Sequence, residues 1–115
     1  MRFRRASVAA IGAFTLLLAV PQSASAAVGE FQYTYIGVDG KPHIRILLDP
    51  ESRECITLPE VADPNASEPA YSPRNRTTST ATVFTDADCE GDFFALRPLV
   101  GRGSENLKLR SVAFS

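Results

Sequence analysis

Aromatic and polar residues alternate from Phe31 to Ile36, with Phe31, Tyr33 and Tyr35 on one side and Gln32, Thr34 and Ile36 on the other. A period of two describes a half-buried strand, so this segment is expected to lay its aromatic face on a core. Val38-Asp39-Gly40-Lys41-Pro42 is a turn by its Asp-Gly step and its proline. From His43 to Leu48 the apolar Ile44, Ile46 and Leu48 alternate with His43 and Arg45, so the two segments read as a hairpin. Asp49-Pro50-Glu51-Ser52 makes the next turn, and Arg53 to Leu58 is a third short strand.

The pattern then lapses. Pro59 to Thr80 holds four prolines, few large apolar residues and many Asp, Asn, Ser and Thr, which reads as one long Pro-rich loop over 59–80. Strand patterns resume at Ala81 to Thr85, Asp92 to Arg97 and Asn106 to Phe114. In the last of these, Leu107 and Leu109 fall on one face and Val112 and Phe114 on the other. A bulge or bend near Arg110 and Ser111 would bring all four inside. About six short strands in two groups of three predict an all-β fold, a small antiparallel sandwich of two sheets.

The N-terminus belongs to a different pattern. Arg2, Arg4 and Arg5 precede an apolar run from Val8 to Val20 that ends at Pro21, and Ala24-Ser25-Ala26 fits an A-x-A cleavage site. Thirteen apolar residues make a helix of only about 20 Å, short of the roughly 30 Å hydrocarbon core. Residues 1–26 are therefore read as a signal peptide cleaved near Ala26, and residues 27–115 as one secreted, extracellular domain with no membrane insertion of its mature chain. Arg4-Arg5 raises the twin-arginine route, but Ser7 and Val8 follow where larger apolar residues are usual, so ordinary secretion is preferred.

Cleavage removes three of the 12 basic residues and none of the 13 acidic ones, which moves the formal charge from −1 to −4. A mildly acidic domain is a poor partner for nucleic acid. The runs Arg74-Asn75-Arg76 and Lys108-Leu109-Arg110 read as solvated faces. Export also decides the cysteines. In an oxidising compartment Cys55 and Cys89 are most simply a disulfide, closing a ring that adds roughly 3 to 4 kcal/mol on the loop-entropy model. Two thiols and the single His43 are an incomplete set for structural zinc.

Candidate chemistry centres on Thr82 to Phe94, TVFTDADCEGDFF. Asp86, Asp88, Glu90 and Gly91 match the first half of an EF-hand loop, but position 12 is Arg97 where a bidentate carboxylate is needed, and strands flank the loop where helices are required. At most a weak, irregular calcium site on Asp86, Asp88, Glu90 and Asp92 is left. His43, in an alternating strand beside Arg45, reads as a surface residue, and the serines have no other histidine to activate them. No enzymatic constellation and no cofactor is expected.

Phe84 and Cys89, seven and two residues before Gly91, fit a different spacing. It resembles the βγ-crystallin Greek-key signature, [YF]-x4-[YFW]-x-G, with cysteine in place of the second aromatic. Asn106-Leu107-Lys108-Leu109-Arg110-Ser111-Val112 is similar to that family's N-D-x-I-S-S-[IV] segment. The resemblance covers Ala81 to Phe114 best, and the whole chain looks like small secreted actinobacterial proteins, some of which carry this fold as metalloprotease inhibitors or toxin-like proteins. It implies a Greek-key sandwich in which Phe84 anchors the core and Gly91 makes the turn. Of the family's calcium ligands only Asn106 and Ser111 carry over, because Leu107 offers no oxygen and Arg110 puts a cation where a hydroxyl belongs.

Two functions of different class follow as expectations. The first is a secreted, monomeric, non-enzymatic binding protein, in its sharpest form an inhibitor of an extracellular protease through an exposed loop with Ala70, Tyr71, Ser72, Pro73, Arg74, Asn75 and Arg76 as contact residues. The alternative is a structural or envelope-associated extracellular β-domain with at most weak calcium binding.

Overall fold

The structure is a computed structural model that describes residues 26–115; apart from Ala26, the segment read as a signal peptide lies outside the described residues. Eight strands are present among them, β1 (Gly29–Ile36), β2 (Pro42–Leu48), β3 (Cys55–Thr57), β4 (Ala70–Thr77), β5 (Ala81–Phe84), β6 (Phe93–Leu96), β7 (Lys108–Leu109) and β8 (Ser111–Phe114). They form two four-stranded antiparallel sheets, ordered β2-β1-β4-β7 and β3-β8-β5-β6. The chain is thus all-β, as its alternation predicts, with eight strands where about six are expected.

The hairpin β1–β2 follows the sequence closely. Its register runs from Glu30 opposite Leu48 to Ile36 opposite Pro42. The turn is closed by Gly37 N–H donating to Lys41 O and Gly40 N–H donating to Gly37 O, both at 2.9 Å, and Asp39 Oδ1 accepts the Lys41 N–H at 3.0 Å. Phe31 and Tyr33 are fully buried. The alternation of β2 runs opposite to its apolar pattern: Ile44, Ile46 and Leu48 lie outside, and only Leu47 packs on the core.

The long loop expected over 59–80 is the main correction. Its second half is β4, a central strand paired with β1 on one edge and β7 on the other. Ala70, Pro73, Asn75 and Thr77 are buried, so of the residues expected to be exposed contacts Ala70, Pro73 and Asn75 face the core, Tyr71 and Ser72 are half-buried, and Arg74 and Arg76 are exposed on the sheet's outer face. The reason is a bulge: Ser72 sits at φ 52°, and the β1–β4 register shifts between Gln32 and Thr34. That shift lets Pro73, which has no N–H to donate, occupy a strand interior. Asn75 replaces an apolar core residue by satisfying its own polarity. Its Nδ2 is shared among the carbonyls of Ser79, Leu96 and Arg97 at 2.8 to 3.1 Å, and its Oδ1 accepts the Thr77 N–H and hydroxyl.

The chain also does not divide into an N-terminal and a C-terminal sheet. β3 crosses to pair with β8, and β4 returns to pair with β1. The expected bend near Arg110 is where the chain leaves one sheet for the other, between β7 and β8. Leu109, Val112 and Phe114 are thereby buried and Leu107 packs against the core. The two sheets meet in one core, in which the rings of Phe31 and Phe114 stand edge to face with centroids 5.4 Å apart.

Cys55 on β3 is bonded to Cys89 in the β5–β6 connection, with Cα atoms 5.9 Å apart. The Cys55→Ala/Cys89→Ala variant should therefore lose about 3 to 4 kcal/mol of folding free energy in urea titration. A loss below about 1 kcal/mol would mean that the ring of residues 55–89 is held closed by β3–β8 and β5–β8 pairing alone.

Candidate functional site

An open groove of about 930 Å³ lies among the described residues between the turn end of the β1–β2 hairpin and the segment after β3. Tyr35, Gly37, Asp39 and His43 form one wall, and Pro59, Glu60 and residues 62–68 form the other.

The hairpin wall is built by pairing. Tyr35 and His43 are directly opposite in the β1–β2 register, and their rings stack at 5.7 Å. His43 Nε2 lies 3.1 Å from both carboxylate oxygens of Asp39. A side chain at position 37 would strike the His43 ring, so glycine there admits the His43–Asp39 contact. The backbone N–H of Lys41, followed by His43, holds the Asp39 carboxyl below its ordinary range.

The opposite wall is fixed from beneath by Glu60 and Arg110, which no local pattern connects. Glu60 receives the Tyr33 hydroxyl on Oε1 at 2.6 Å and pairs through Oε2 with Arg45. Burial, then the neighbouring Glu60, pushes the Tyr33 hydroxyl well above the usual tyrosine range, so it stays a donor. Arg110 is buried, and its guanidinium donates to the carbonyls of Val61 and Ser67, both at 2.9 Å. Val61 plugs the core, while residues 62–66 remain exposed. Asp63 closes a compact turn: its O accepts the N–H of Ala66 and Ser67, and its Oδ1 accepts that of Asn65.

The stretch Thr82 to Phe94 is a structural corner. β5 and β6 pair with Phe84 opposite Phe93, and the pairing continues through Thr85 N–H to Asp92 O. Asp88 and Cys89 take φ near 60°, and Gly91 sits at φ 85°, where a side chain would meet Thr85 Oγ1. Ser111 Oγ donates to Asp86 O at 2.6 Å and accepts the Cys89 N–H at 2.8 Å, which occupies it with the turn. Asp88 Oδ1 accepts the Thr57 hydroxyl, and no three acidic, histidine or cysteine groups converge on a metal site among the described residues. Asn106 is exposed, its N–H donated to Ser104 Oγ. Phe84 is not the core anchor: it is half-buried beside Phe93 on the outer face, and its neighbour Val83 is the core residue.

Comparison with protein-family models, with curated proteins and with solved structures finds no match. No helix among the described residues is long and apolar enough to cross a membrane.

Two outcomes test this site. Arg110→Met leaves the carbonyls of Val61 and Ser67 without their donor, so it should cost about 2 to 4 kcal/mol and speed proteolytic cleavage within residues 62–68; an unchanged cleavage rate would show that the segment is held without the guanidinium. Asp39, being depressed, adds its contact with the turn above the ordinary aspartate range and loses it as pH falls through its lowered value. Its carboxyl resonance should titrate below that range in the native protein and move upward in His43→Ala; a midpoint unaffected by His43→Ala would leave the Lys41 N–H as the sole cause.

Proposed function

We propose that the protein is an exported, non-enzymatic binding domain, and that the groove between the hairpin turn and residues 59–68 holds part of its partner. The observation that carries this reading is the construction of the groove. Its walls are fixed from below by Glu60 and Arg110, while its lining offers an aromatic stack, backbone groups and the carboxylates of Asp39, Asp63 and Glu68. A pre-shaped concavity loses little entropy on binding, and an excess of carboxylates selects a cationic side chain. The matching partner is a protein or peptide presenting lysine or arginine, which can also rest on the Tyr35 ring.

We read the groove as a binding surface because its histidine is engaged by a carboxylate and an aromatic ring and both cysteines are in the disulfide. Protease inhibition through Ala70 to Arg76 loses its physical basis, since those residues are paired within a sheet. The remaining exposed stretch, residues 62–66, is coiled into a turn, whereas a protease cleft takes an extended segment.

Amide resonances would report the interaction directly. Short lysine- and arginine-containing peptides should shift Tyr35, His43 and residues 62–68 at millimolar concentration, acidic peptides should not, and Asp63→Asn/Glu68→Gln should weaken the basic peptides about three- to tenfold. Shifts spread over both sheets, or equal responses to acidic peptides, would remove the groove from consideration.

A further inference from the structure

The outer face of the β2-β1-β4-β7 sheet has a composition that folding alone does not require. Residues opposite one another on paired strands share a face, so the register defines three rows across it. Leu48, Glu30 and Arg76 form the first; Ile46, Gln32, Arg74 and Arg102 the second; Ile44, Thr34, Tyr71 and Lys108 the third. Each row runs from an aliphatic side chain on β2, through the carboxylate of Glu30 in the first row or a neutral polar side chain in the other two, to cations on and beside β4, four cations against one carboxylate in the three rows. The bulge at Ser72 makes this possible, because it sets Tyr71 and Arg74, three residues apart, on the same side.

The cations are unspent. Arg74, Arg76, Arg102 and Lys108 have no ion-pair partner among the described residues, and Lys108 lies over the Tyr71 ring, 4.9 Å from its centroid. Of the nine cations in residues 26–115, Arg110 is buried on carbonyls and Arg45 is paired with Glu60, and four of the remaining seven share this face. That concentration runs against the domain's negative net charge. The aliphatic row is equally conspicuous: Ile44, Ile46 and Leu48 are 62%, 45% and 68% exposed, about 10 Å from the β4 cations Arg74 and Arg76 across two strand spacings.

We propose that this face docks peripherally on an anionic lipid surface, with Arg74, Arg76, Arg102 and Lys108 on the headgroup phosphates and Ile44, Ile46 and Leu48 at the acyl boundary. Stable adsorption needs two weak signals together, an apolar patch and a basic one, and the sheet supplies both on one plane with a tyrosine between them. A soluble polyanion would use the cations and leave the aliphatic row in water. The docking surface is separate from the groove, so either can fail without the other.

Residues 26–115 contain both sheets, their shared core and the disulfide, and this span is the one to use. Sedimentation with phosphatidylcholine vesicles containing about 30% phosphatidylglycerol should carry the protein down, pure phosphatidylcholine should not, and added salt should release it. Arg74→Glu/Arg76→Glu should lower partitioning at least about tenfold, and Ile44→Ser/Ile46→Ser by about three- to tenfold, while the charge-matched Arg53→Glu/Arg97→Glu stays within about twofold. Should the first variant not fold by circular dichroism, Arg102→Glu/Lys108→Glu, in a connection and a two-residue edge strand, takes its place. Equal losses in the charge-matched control, undiminished binding in the serine variant, or binding to inorganic polyphosphate without binding to vesicles would each overturn the proposal.

Discussion

A single buried cation organises this small fold. Arg110 stands where the chain passes from one sheet to the other, and each part of the residue is committed: its N–H to Phe84 O, its O to the Leu58 N–H, and its guanidinium to Val61 O and Ser67 O. A charge taken out of water is costly unless its donors are met, and here carbonyl dipoles on a returning segment meet them in place of a carboxylate. The crossover, the end of β3 and the wall of the groove therefore share one fixed point. An aliphatic residue could fill the same volume, but it could not bind two carbonyls six residues apart on another segment, so the shape of residues 61–67 depends on the guanidinium fork.

That dependence explains which parts were legible in sequence. β1 and the bend after β7 are visible because burial follows from side-chain period: Phe31 and Tyr33 go in, and Leu109, Val112 and Phe114 can all go in only if the chain turns. β4 is invisible for the opposite reason. Its inward positions are Ala70, Pro73, Asn75 and Thr77, which carry no apolar period, and its bulge breaks even the polar one. Asn75 and Thr77 bury because they satisfy each other and three carbonyls, a property of three-dimensional neighbours that local pattern does not encode. The groove was hidden likewise, since Tyr33, Arg45 and Glu60 meet only after the segment beyond β3 folds across the hairpin.

The acidic corner between β5 and β6 shows how a ligand-like pattern arises from backbone need. Asp88 and Cys89 take φ near 60° before Gly91, a region aspartate tolerates better than most residues, while Asp86 and Glu90 on either side are extended. The disulfide and the Ser111 hydroxyl then hold the corner against β3 and β8. Of the alternating acids at this turn, Asp88 records conformational tolerance and the exposed Asp86, Glu90 and Asp92 record solvation before any of them records a metal.

Charge is distributed in the same economical way. The carboxylates of the groove wall are mostly engaged in holding local shape, Asp39 on its turn, Asp63 on its own and Glu60 on Tyr33 and Arg45, whereas the cations on and beside β4 have no ion-pair partner among the described residues and only Lys108 rests on a ring, that of Tyr71. A group that stabilises its own fold has an internal reason for its position; four exposed cations sharing a face with the single carboxylate of Glu30 repel one another more than that face compensates. The aliphatic row on β2 shares this status, being exposed on an edge strand that polar side chains would shield better from stray pairing. Two features that each weaken the isolated domain, placed on one sheet face and aligned by one bulge, point outward to what the domain meets.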